Sequence, residues 1–233
     1  MSPVLGGHTP DSVLAWLESE ASDEHREGLL RYGIPSERAL GVAMGVMKKK
    51  AKAMGRSHDL ALGLWELEIY EARTMAACVD EPTLVDEAQM EAWAADFDNW
   101  AICDTVCFHL FDRTAHAWTK SREWVTRPEE FVRRAGFALI WGLSVHDKKA
   151  DDALFGSALT WIGDTEPDAR PLVKKAVNMA LRAIGKRNAA LNRSACRVAE
   201  LLAASSDRHR SWIGTHVLRE LTSDKVRARV AGR

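Results

Sequence analysis

Apolar positions in this chain recur three and four residues apart, the period of an α-helix that buries one face. The pattern holds in one segment after another and predicts helices at 10–22, 24–32, 36–54, 58–69, 70–79, 87–96, 98–112, 115–125, 128–146, 151–162, 167–185, 189–204, 208–221 and 223–230. Helix starts are marked by Thr9-Pro10, Ile34-Pro35-Ser36-Glu37, Glu81-Pro82, Arg127-Pro128-Glu129-Glu130 and Glu166-Pro167-Asp168, which put proline and acids where a first turn accepts them. No run of alternating β-branched residues bounded by hairpin turns interrupts the series, so the expected class is all-α.

Two of these segments echo each other. FVRRAGFAL from Phe131 and LVKKAVNMAL from Leu172 share an apolar pair, two basic residues, an alanine and a further apolar turn, and IYEARTMAA from Ile69 is a weaker copy. The offset between Arg133-Arg134 and Lys174-Lys175 predicts a HEAT-like helical repeat, one domain over 1–233 with less regular N-terminal helices over 1–30. Stacked repeats of this kind make a solenoid with a concave face.

Charge changes the picture more than composition does. Residues 1–116 hold ten Lys+Arg against twenty Asp+Glu, net −10, whereas residues 117–233 hold twenty-two against thirteen, net +9. The positive half suits a polyanion, and Arg133, Lys174, Lys175, Arg182, Lys186, Arg187, Arg193 and Arg197 are its candidate phosphate contacts. The run MKKKAK at 47–52 reads as a solvated helix end whose lysines offset the dipole. An apolar content of 46% excludes disorder. The longest apolar run, AGFALIWGLSV at 135–145, is far short of the roughly 20 residues of a membrane span. An N-terminus without a basic or extended apolar segment and four cysteines in helical patterns point to a reducing cytoplasm.

The stretch FDNWAICDTVCFHLF, 97–111, places an acid where folding alone does not ask for one. Wound as a helix, Phe97, Trp100, Ala101, Cys107, Phe108 and Phe111 fall within about 60° of Asp104, and Ile102, Cys103, Val106 and Leu110 cover the other side. A carboxylate there has a cationic partner, is protonated, or faces a cleft that a ligand enters. Trp100 lies one turn before Asp104, and an indole beside a negative charge receives a flat cation. Arg134 borders the core stripe of its helix with Trp141 on the same side, placed either to pair with Asp104 or to grip a phosphate. Cys103 and His109 lie about 120° apart around the helix and no second ligand pair follows, so no metal site is expected at Cys103, Cys107 and His109.

The W-x-x-x-D of Trp100 and Asp104, followed by R-A-G at Arg134 to Gly136, resembles the AlkD-like DNA alkylation repair family of HEAT-like-repeat DNA glycosylases, from about RYGIPSERALG at Arg31 to the C-terminus. The resemblance implies a positively charged concave face for duplex DNA and hydrolysis of the N-glycosidic bond of alkylated purines such as 3-methyladenine and 7-methylguanine. It implies Trp100 at the lesion nucleotide, Asp104 as the catalytic carboxylate and Arg134 on the backbone near the lesion. Trp141 and Met179 are then the expected lining of a lesion pocket, with Met179 standing where a second aromatic is expected. A monomer without cofactor follows. The rival readings are a non-catalytic DNA-structure-binding solenoid and a protein-interaction solenoid.

Overall fold

A computed structural model describes residues 7–232, and among these the secondary structure is helix and turn with no strand. The chain divides into two compact units, Met1–Thr114 and Ala115–Arg233. The first holds α1 (Pro10–Ser19), α2 (Asp23–Arg31), α3 (Met44–Met54), α4 (His58–Trp65), α5 (Tyr70–Val79), α6 (Glu87–Ala95) and α7 (Trp100–His109), then a single 3-10 turn at Phe111–Arg113. The second holds α8 (Ala117–Trp124), α9 (Glu130–His146), α10 (Asp152–Asp164), α11 (Pro171–Gly185), α12 (Ala189–Ala203), α13 (Arg208–Leu221) and α14 (Asp224–Ala231).

Helix starts are fixed by side chains that accept from orphan backbone amides. Thr9 and Ser12 form a reciprocal cap on α1, and Ser22, Ser57, Asp86, Asp151, Asn188, Asp207 and Ser223 cap later helices. Asn99 does this for α7, its Oδ1 accepting from Ala101 and Ile102 at 3.0 Å each. Each such cap contributes about 1 kcal/mol.

Two predicted boundaries are wrong for a physical reason. The helix expected at 36–54 begins only at Met44, because the backbone amides of Leu40, Gly41 and Val42 all donate to the buried Glu71 carboxylate and Gly41 sits at φ +81°. The helix expected at 167–185 begins at Pro171, because Asp168 binds arginines instead of opening a first turn.

Unit 1 packs around Trp65, whose ring stacks on Trp93 at 4.0 Å and meets Phe97 edge-on at 6.3 Å. α5 is its central element, packed on α3, α4 and α7. The core of unit 2 joins Phe137 and Ile140 of α9, Phe155 and Ile162 of α10, Val177 and Leu181 of α11, Ala195 of α12 and Val217 of α13. The two helices that echo each other in sequence, α9 and α11, lie directly against one another, as a repeat requires. Gly214 lets α13 touch α12: a Cβ there would overlap Ala203 N and Ala199 O. No helix among the described residues is long and apolar enough to cross a membrane.

Candidate functional site

On α7 the buried side chains are Ala101, Ile102, Cys103, Val106 and Cys107, the face that packs toward α5. Trp100, Asp104 and Phe108, spaced i, i+4, i+8, form a half-exposed stripe beside it. Asp104 therefore stands on an aromatic strip at the edge of the core, not at the centre of the buried face that the sequence pattern suggests. The half-exposed Trp100 is oriented by its Nε1, which donates to the Tyr32 carbonyl at 2.8 Å, in the segment between α2 and α3. Cys107 lies under Asp104 on the next turn. Burial drives its thiol well above the ordinary cysteine range, with Cys103, Asp104 and Asp112 adding to the rise. It is an inert core residue, not a nucleophile. No group of three His, Cys, Asp or Glu side chains suited to a metal occurs among the described residues.

In unit 2 a cavity of about 710 Å³ brings together five of the residues singled out from sequence: Trp141, Met179, Arg182, Lys186 and Arg187. Trp141 comes from α9 and Met179 from α11, so the packing of the two repeat-related helices makes the apolar wall. Glu220 of α13 pairs with both Arg182 and Lys186. Burial nonetheless holds both below the usual range for their type, helped by Arg219 for Arg182 and by Arg182, Arg229 and Lys225 for Lys186. The cations Lys148, Arg182, Lys186, Arg187 and Arg229 and the carboxylate of Asp152 line the cavity together. Arg187 lies 3.8 Å over the Phe155 ring and donates to the Ser144 and Asp147 carbonyls at 3.0 and 2.9 Å, closing the C-terminal end of α9.

The remaining candidates are placed elsewhere. Arg134 is 3% exposed, and its Nη1 donates to the Leu172 carbonyl at 2.6 Å. Arg133 pairs with Asp168 at 3.2 Å and donates to the Glu166 carbonyl. Lys174 lies 4.5 Å over the Trp212 ring, and Lys175, Arg193 and Arg197 are exposed. Lys148, Asp152, Asn188 and Arg229 also line the cavity. Sequence reasoning passed over Arg229 because α14 reads as an ordinary polar helix; only its packing beside α12 and α13 brings it there.

A protein-family model described as "DNA alkylation repair enzyme" matches residues 13–210. The chain belongs to that family. Among solved structures, a protein described as "a new family of proteins related to the HEAT-like repeat DNA glycosylases with affinity for branched DNA structures" superposes with a TM-score of 0.75. The match covers 91% of this chain and 95% of that one at 20% identity, so it shows that the family's HEAT-like, all-α fold is the fold here. No curated protein matches the chain by sequence.

Proposed function

We propose that this member of the DNA alkylation repair family is a monofunctional DNA glycosylase that hydrolyses the N-glycosidic bond of positively charged alkylated purines, such as 3-methyladenine and 7-methylguanine, in duplex DNA. The observation that carries the reading is the placement of Asp104 one turn after Trp100, on the half-exposed stripe of a helix whose other face is core. A purine alkylated at N3 or N7 is already a cation and leaves without being protonated. The C1′–N9 bond breaks with its electron pair passing to the base, which departs neutral, and the sugar becomes oxocarbenium-like. A fixed carboxylate at the edge of a low-dielectric core stabilises that cation better than water does. Water then adds to C1′ and releases a proton to the carboxylate or to solvent.

Trp100, held by the Tyr32 carbonyl, offers its indole to the cationic base, worth about 0.5–2 kcal/mol at a partly desolvated site. Arg134, 3% exposed and bound to the Leu172 carbonyl, acts within its own unit by holding α9 against α11. Trp141 and Met179 with Arg182, Lys186 and Arg187 form a surface for a nucleotide and its phosphates, and Lys174, Lys175, Arg133 and Arg193 extend the cationic contacts along the same unit. The chemistry calls for no cofactor, and the chain acts as a monomer in the cytoplasm, on DNA.

The test is to incubate the purified chain with methylated duplex DNA and measure free 3-methyladenine and 7-methylguanine. Release above the blank supports the reading. Tight binding of branched DNA with release at the blank level supports the alternative suggested by the structural neighbour, a non-catalytic binder of DNA structures.

A further inference from the structure

Unit 1 is the acidic half of the chain, so positive charge gathered on it is a local exception. It occurs where the end of α3 meets α5, α7 and the 3-10 turn. A cavity of about 360 Å³ there is lined by Lys48, Lys52, Arg56, His109 and Arg113, with Ala51, Gly55 and Cys78 completing the wall and no carboxylate in the lining. Dipole compensation at the end of α3 does not explain this arrangement, because the structure divides the lysine run into two faces. Lys50 turns away to stand 5.2 Å over the Trp16 ring. Lys48 and Lys52, four residues apart, share the face that lines the cavity. Arg56 is oriented by donating to the Asp80 carbonyl, and Arg113 reaches within 3.8 Å of the Asp112 carboxylate while keeping a side-chain exposure of 40%. The Cys78 thiol senses the convergence: burial pushes its pKa up, and Lys48, Arg56 and Arg113 each pull against that rise.

We propose that this cavity is a phosphate site, gripping a phosphodiester of the DNA backbone through Lys48, Lys52, Arg56 and Arg113. Lysines supply point charges and arginines planar forks, the pair of chemistries that phosphate oxygens select. The assignment rests on the reading of duplex DNA as the ligand. It gives the acidic unit a specific anchor, and His109 ties that anchor to the helix that carries Trp100 and Asp104. His109 is five residues beyond Asp104, roughly 7.5 Å of helix rise, so a phosphate held here fixes the strand at short range from the carboxylate.

Free inorganic phosphate shares the chemistry, so the experiment has two arms. Affinity of the full chain for undamaged duplex is measured across salt concentrations, for the parent, for the double variant Lys48→Gln/Lys52→Gln and for Lys48→Glu/Lys52→Glu. All four substitutions fall on exposed side chains, and thermal melts check folding. In the second arm, inorganic phosphate is titrated while the His109 ring is followed by NMR. The proposal expects the glutamine variant to bind about tenfold more weakly, with the slope of log affinity against log salt reduced by about two, and a larger loss in the glutamate variant. Unchanged affinity and slope overturn it. A response only to inorganic phosphate, lost in the variants, overturns the backbone assignment in favour of a free anion. Base release by a parent whose salt slope the variants leave untouched removes this site and spares the glycosylase reading. A reduced slope without base release does the reverse.

Discussion

The Arg134 guanidinium is bound to the Leu172 carbonyl at 2.6 Å, which ties the second turn of α9 to the start of α11, the two helices whose sequences repeat. Arg170 makes a reciprocal tie, its Nη1 donating to the Pro128 carbonyl at 2.7 Å just before α9. Arg134→Ala removes a charged donor and leaves a carbonyl without it, at a cost of about 1–3 kcal/mol. The denaturant midpoint of the variant is expected to fall by that energy divided by the slope, with the slope unchanged. Stability equal to the parent's would show that the Leu172 contact holds nothing together.

Lys186 is expected to give duplex binding a pH dependence. Burial, with Arg182, Arg229 and Lys225, holds its amine below the ordinary lysine range in the free protein. A phosphate beside it favours the charged form, so the pKa is higher in the complex than in the free chain. Binding then takes up a proton between the two values, and affinity is lost as pH rises through the lowered free value. Duplex affinity followed from neutral into alkaline pH is expected to decline with the parent and to stay flatter with Lys186→Arg. Parallel profiles would place the phosphate elsewhere.

Gly214 sets how closely α13 approaches α12. Gly214→Ala puts a methyl group into backbone atoms of Ala199 and Ala203, which no side-chain rotation relieves. The expected cost is about 1–3 kcal/mol from overpacking, read as a fall of several degrees in Tm. Glu220 of α13 pairs with Arg182 and Lys186, so a displaced α13 shifts those two cations and DNA affinity is expected to fall together with stability.

The helical class, most helix positions and the relation of α9 to α11 were legible in the sequence because period, caps and repeats are local or pairwise signals. The start of α3 was not. Pro35-Ser36-Glu37 is a good proline and acid start signal, but the buried Glu71, about thirty residues on, takes the amides of Leu40, Gly41 and Val42. Asp168 misled in the same way: its partners Arg133 and Arg170 are set by the packing of α9 on α11, and propensity does not contain them. For Asp104, periodicity showed an acid among apolar residues but could not tell which of two apolar faces is the deeper one. The face of Ile102, Cys103 and Val106 is the one that packs inside. For Lys48 and Lys52 the missed signal was their i, i+4 spacing within a run that invited reading as one charged block.

The central claim is that Asp104 stabilises the oxocarbenium-like sugar left as the base departs, and single-turnover release of 7-methylguanine from a defined duplex tests it most directly. Asp104→Asn keeps the shape and removes the charge. The account predicts that excision slows by on the order of a hundredfold or more while affinity for the same duplex stays within a few-fold of the parent's. A variant that excises at the parent's rate would contradict it.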